Sequence, residues 1–240
     1  MPLRPWSDIV IRDCAESLAP LPAALFRIEP HPYVAVGAPY GEGACPFRLR
    51  TGVIQRLLQA QTVLSTAEPG YRLAIFDAWR PIAVQRYMVD YAIAQECSTR
   101  GLNPSSASPA VAAVIDEVSR FWAPPSLDPA TPPPHSTGSA VDLTLLDGAG
   151  ELVDMGSDID AIGAVSEPHH YRAVADTTPD GVERQQALEW DRRRRLLADA
   201  MESQGFAQHP NEWWHFSYGD QLWAWQRSQS EAIYGRASDG

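Results

Sequence analysis

Pro132–Leu145, reading PPPHSTGSAVDLTL, and Asn211–Phe216, reading NEWWHF, decide how the rest of this 240-residue chain is read. The first stretch places His135 and Asp142 on either side of a glycine, and the second places Glu212 three residues before His215. Gly138 permits a tight turn after His135, and Ala140 to Leu146 (AVDLTLL) alternates as a half-buried strand does. The aromatic run WWHFSY predicts a further strand at about 212–218, entered after the break at Pro210 and Asn211. Two imidazoles and a carboxylate on strand ends can supply the three protein ligands of a catalytic zinc, which leaves its fourth position open. Glu212, next to the third of them, can act as a general base.

Spacing alone does not single out this set. His169 and Asp176 repeat the H-x6-D spacing, and Glu167 and His170 repeat E-x-x-H. Short motifs of this kind arise by chance, and a lone histidine beside tryptophans is more often a hydrogen-bonded core residue than a ligand. Context separates the two sets. The second lies in EPHHYRAVADTTPDG, whose prolines and glycine predict a long loop, whereas the first lies on expected strands. His31 and His209, each next to a proline, read as ordinary surface or loop residues.

Working outward, Tyr71–Pro81 (YRLAIFDAWRP) predicts a buried strand that breaks at a proline suited to open the next helix. Asp77 and Arg80 lie at that break, where they either pair to staple the turn or present a cation to a site. Apolar residues at helical spacing predict helices over 52–66, 82–95, 109–121 and 183–204. The basic run Arg192 to Arg195 falls in the last of these and reads as a solvated face paired with Glu189, Asp191 and Asp199. PPSLDPATPPP, from Pro124 to Pro134, is a stiff connector that delivers the chain to His135. Strands at about 71–77, 140–146 and 212–218 interleaved with unequal helices imply an α+β fold. Its mainly antiparallel sheet carries the metal site, and its helices pack on one side.

With 45% hydrophobic residues and no shift in composition, residues 1–240 read as a single domain with its own core, although the first 30 are proline-rich and hard to place. A net charge of −11 argues against nucleic-acid or anionic-membrane partners. Cys14, Cys45 and Cys97 are odd in number and widely spaced, which favours reduced thiols. No apolar stretch is long enough to span a membrane and no secretory signal is visible, so the expected location is the cytoplasm.

PPPHSTGSAVDLTL, followed by MGS, HH and EWWH and preceded by DAWRP, resembles the zinc D-alanyl-D-alanine dipeptidases of the VanX type, from about Tyr33 to about Tyr218. The resemblance implies one Zn2+ per chain held by His135, Asp142 and His215, with Glu212 as catalytic base and Arg80 steadying the tetrahedral intermediate. It also implies Asp77, Ser136, Ser139 and Trp214 as supporting or substrate-binding residues, and a small dipeptide as substrate. The chain departs from the resistance enzymes at Pro133, where they carry a serine, and this leaves the dipeptide preference open. Residues 157–181 are expected to wall the site against longer peptides. Two other readings stand beside this one: a zinc D,D-carboxypeptidase or endopeptidase on cell-wall peptides, and a zinc-stabilised binding domain without catalysis. Retention of both Glu212 and Arg80 counts against the latter.

Overall fold

The computed structural model describes residues 4–41 and 44–237. Two small ribbons tie distant parts of the chain together. β1 (Val10–Ile11) pairs in parallel with β9 (Glu231–Ala232), and β2 (Leu18–Pro20) pairs antiparallel with β4 (Arg48–Arg50). The main sheet has the order β3 (Phe26–Arg27), β5 (Arg72–Asp77), β6 (Ala140–Leu146), β8 (His215–Ser217), β7 (Ala207–Gln208). Only β3–β5 is parallel, so the sheet is mainly antiparallel, as expected.

Among the described residues there are seven α-helices: α1 (Pro32–Ala35), α2 (Thr51–Ala67), α3 (Ile82–Thr99), α4 (Pro109–Val118), α5 (His170–Thr177), α6 (Val182–Ser203) and α7 (Gln221–Gln226). α2 buries Val53, Ile54, Leu57, Ala60 and Leu64, a stripe at helical spacing, and α6 buries Leu197, Ala200 and Met201. Both pack on one face of the sheet, against Leu73 and Ile75 of β5 and Val141, Leu143 and Leu145 of β6. Leu57, Leu73 and Leu143 have no exposed surface, and truncating any such leucine to alanine costs about 2–5 kcal/mol. α3 and α4 gather a second apolar cluster around Tyr33, Val84, Val114 and Trp122, against which Phe76 of β5 packs.

β6 departs from the half-buried strand of the sequence reading, because all seven of its residues are buried. Its polar face carries Asp142 and Thr144, and it is covered as well. The cross-strand register explains what that face is for. A bulge after Ile75 sets Asp77 opposite Asp142, and Asp142 is opposite His215, so three polar side chains form one row across β5, β6 and β8.

Two segments differ from expectation. Residues 167–181, expected as a loop, contain α5. Tyr171 and Ala175, one helical turn apart, bury against Ala187 of α6, and this short apolar contact is hidden in sequence by the flanking prolines. The basic run on α6 is only partly solvated. Arg192 and Arg193 pair with Glu189 at 2.8 Å, but Arg194 is 2% exposed, and Asp191 and Asp199 make no ion pair among the described residues. Arg194 instead donates to the carbonyls of Met155, Val165 and Glu167 and to Ser157 Oγ, and thereby holds the segment that walls the polar face.

Candidate metal centre

Local structure brings His135 to the sheet. Pro134–Thr137 forms a single 3-10 turn that ends at Gly138, whose φ of 71° is left-handed. The left-handed backbone favours glycine, and a Cβ there would lie 2.2 Å from Leu18 Cδ2 and displace that side chain. Arg50 clamps this turn, its Nε donating to Thr137 O and its backbone N–H to Gly138 O, each at 2.8 Å. Two residues after Gly138 the chain enters β6, and Asp142 then faces His135. Glu212 sits in the turn before β8, three residues ahead of His215.

The three expected donors converge. One ligand atom from each of His135, Asp142 and His215 lies within 4.8 Å of the others, and all three residues are buried. His135 Nε2 is 3.2 Å from both Asp142 Oδ2 and His215 Nδ1, and His215 Nδ1 is 3.0 Å from Asp142 Oδ1. Donors of a tetrahedral zinc with bonds of about 2.0–2.2 Å are separated by roughly 3.3–3.5 Å, so the trio needs to open by only a few tenths of an ångström. The tautomer of His135 also fits. Its Nδ1 bonds to Ala78 O at 2.7 Å, which makes Nδ1 the N–H donor and leaves the Nε2 lone pair pointing at the other two residues. His215 Nε2 is buried without a hydrogen-bond partner, so that ring also directs Nδ1 inward.

Arg80 lies beside this trio, its Nη2 3.4 Å from Asp142 Oδ2. Asp77 fixes its orientation by accepting from Nη2 at 2.6 Å and from Nε at 3.0 Å, while Gln85 Oε1 accepts from Nη1 at 2.9 Å. The guanidinium also lies over the rings of Tyr33 and Trp122. Burial alone would lower its pKa, but Asp77 and the other acidic neighbours overcome that and hold it charged. Asp77 in turn accepts from Tyr40 and meets His31 Nε2 at 3.1 Å. His31 is therefore not a surface residue, and neither is His209: both are buried, and His209 lines the cleft. Their prolines signalled turns, and the turns happen to face inward.

Glu212 is buried, with its carboxyl 3.7 Å from both His215 Nδ1 and His209 Nδ1. Burial first, then repulsion from Asp142 and Asp160, pushes its pKa well up. Asp142 goes down despite its burial, because His135 and His215 stabilise its charge. Asp160, half-buried in the 155–167 segment, opens onto the same cleft and bonds to Tyr33 OH at 2.9 Å. Burial and the charge of Asp142 push it up to about 7.

Arg80, His135, Asp142, Glu212, Trp214 and His215 all line one cleft. Ser136 and Ser139 do not line it. Ser136 Oγ donates to Arg80 O at 2.8 Å from behind, and Ser139 Oγ turns to Thr137 Oγ1 at 2.6 Å. His169, His170 and Asp176 are not part of the cluster. Asp160 was not found by sequence reasoning. Its one local mark is a positive φ of 66°, which only the structure shows.

Comparison with known proteins gives consistent results. The profile of the family described as D-ala-D-ala dipeptidase matches residues 27–233. A curated D-alanyl-D-alanine dipeptidase of Synechocystis is 46% identical, over 98% of this chain and 97% of its own length. One from Enterococcus faecium is 31% identical over 70% of this chain and 71% of its own. The profile match therefore includes Arg80, His135, Asp142, Asp160, His209, Glu212, Trp214 and His215.

Proposed function

The chain belongs to the D-Ala-D-Ala dipeptidase family of metallopeptidases, and from that membership we propose that it hydrolyses D-alanyl-D-alanine to two D-alanines with one zinc ion held by His135, Asp142 and His215. The observation that carries the proposal is the convergence of those three donors in one buried cleft with Glu212 and Arg80 on its wall. Two imidazoles and a carboxylate suit zinc, and the zinc when bound supplies Lewis acidity toward the peptide carbonyl and lowers the pKa of a water molecule.

The protein's own groups do the rest. Glu212, within 3.7 Å of His215 Nδ1, takes the proton from the attacking water and returns it to the leaving amine. Arg80, held by Asp77, faces the carbonyl oxygen as it gains negative charge. Asp160 meets the substrate's ammonium, since it is an ionisable carboxylate at the cleft wall with no cationic partner within 4.0 Å among the described residues. Trp214 and the 155–167 segment close the cleft around a small side chain.

The test is release of free alanine by zinc-loaded protein from D-Ala-D-Ala, from L-Ala-L-Ala and from a pentapeptide ending in D-Ala-D-Ala. Cleavage of the D,D-dipeptide alone is expected. Failure to cleave it, with stoichiometric zinc bound, would overturn the proposal, and cleavage of the pentapeptide would move the activity to a carboxypeptidase.

A further inference from the structure

We propose that Arg4 receives the terminal carboxylate of the dipeptide, so that the N-terminal segment is part of the specificity apparatus; the inference rests on the dipeptidase reading above. Arg4 lines the same cleft as His135 and Glu212, although it lies far from both in sequence. Its Nη2 donates to Ser119 O at 2.7 Å and Trp122 O at 2.9 Å, just past the C-terminus of α4, and this fixes the plane of the guanidinium. Among the described residues its Nε and Nη1 make no hydrogen bond and no carboxylate lies within 4.0 Å of it. The segment that carries it is tied down. Trp6 is buried and packs edge-on to His209 at 5.9 Å and against Trp225 at 5.6 Å, while Gln221 Nε2 donates to Ser7 O and Ile9 O.

The chemistry of a dipeptide assigns the two ends of the cleft. A zwitterion carries its ammonium and carboxylate on opposite sides of the scissile bond. Asp160 is bonded to Tyr33, over whose ring Arg80 lies, whereas the segment that carries Arg4 packs through Trp6 on His209, whose Nδ1 is 3.7 Å from the Glu212 carboxyl. The amine that Glu212 protonates belongs to the residue that bears the carboxylate, so that carboxylate must bind on the Glu212 side. Arg80 is committed elsewhere, because Asp77 and Gln85 fix its orientation and the edge it leaves open faces the carbonyl oxygen. Arg4 has two nitrogens to spare, and a guanidinium edge matches a carboxylate in geometry as well as charge.

The experiment compares D-Ala-D-Ala with its C-terminal amide on wild type, Arg4→Ala and Arg4→Lys, with zinc content and thermal midpoint measured for each. Wild type is expected to prefer the free acid by at least about tenfold in kcat/KM. Arg4→Ala should lose roughly 10- to 100-fold on the acid, chiefly through KM, and leave the amide within about twofold, so that the preference disappears. Arg4→Lys, which keeps the charge without the fork, should recover part of it. Equal losses on acid and amide, or a wild type that cleaves both alike, would overturn this inference alone. A zinc-loaded wild type that cleaves neither would overturn the dipeptidase reading and this inference with it.

Discussion

Replacing Arg80 by alanine tests the site at the point where structure and chemistry are most closely joined. The guanidinium nitrogen is 3.4 Å from Asp142 Oδ2, and the oxyanion role requires the substrate oxygen to come within about 4 Å of it. A unit charge at that distance with an effective dielectric constant of 20 contributes about 4 kcal/mol. Loss of a single oxyanion donor elsewhere costs about 2.7–4 kcal/mol, so kcat should fall by roughly 10²–10³-fold. The substitution also leaves Asp77, which is fully buried, without its main cation, and breaking a buried pair costs about 3–5 kcal/mol of stability. The two effects are separable. Urea unfolding followed by tryptophan fluorescence should show a lower midpoint, while kcat measured well below that midpoint on zinc-loaded protein reports the catalytic loss. Arg80→Lys should keep much of the stability and less of the rate, because a point-like ammonium keeps the charge beside Asp77 without the planar fork that bonds it through two nitrogens. A folded, zinc-loaded Arg80→Ala protein that retains more than a tenth of wild-type kcat would refute the oxyanion role.

Glu212→Gln should keep zinc and lose about 10²–10⁴-fold in kcat, and a modest loss would remove it as the base. His215→Ala should bind no zinc by elemental analysis while His169→Ala binds it stoichiometrically; the opposite result would mean that the other histidine set holds the metal. Asp160 carries a pH signature. Its pKa of about 7 in the metal-free protein, against an ordinary 3.8, means that the native state keeps a proton the unfolded chain gives up. That contribution to stability is present below pH 3.8 and is lost as the pH rises through about 7. Only the ionised form attracts an ammonium, so kcat/KM should rise with pH to about 7, or lower once a bound cation draws the pKa down; the limb should vanish in Asp160→Asn, and its persistence there would assign it to another group.

The segments that carry the three donors were legible because each combines a periodic pattern with a turn residue of unique geometry. Ala140–Leu146 is the strand read from AVDLTLL, and Gly138 is the turn. The strand around His215 was read too long, as 212–218 rather than His215–Ser217. Aromatic content cannot tell a strand from the turn that feeds it, and Trp213 and Trp214 are buried without being in the sheet. The supporting residues were less legible. Asp160, His31 and Arg4 join the centre through tertiary contacts that have no period or spacing in sequence. Arg194 shows the same limit from the other direction, since a run of four arginines looks alike from end to end, and only packing selects the one that is buried against Met155, Val165 and Glu167.

The electrostatics of the cleft explain why these groups cluster at all. Asp77, Asp142 and Glu212 are buried and Asp160 half-buried around one centre, and among the described residues Arg80 is the only arginine bonded to an acidic side chain of this group. Asp77 is satisfied by Arg80, His31 and Tyr40, so the excess falls on the other three carboxylates. Two of them respond by rising in pKa, each partly through repulsion from Asp142, and they thereby favour their neutral forms. A fold that served only itself would gain by replacing such groups with apolar ones, because uncompensated buried charge destabilises. A divalent cation at His135, Asp142 and His215, as proposed above, would offset the repulsion, return Glu212 and Asp160 toward their ionised forms, and so ready the base and the ammonium site in the same step.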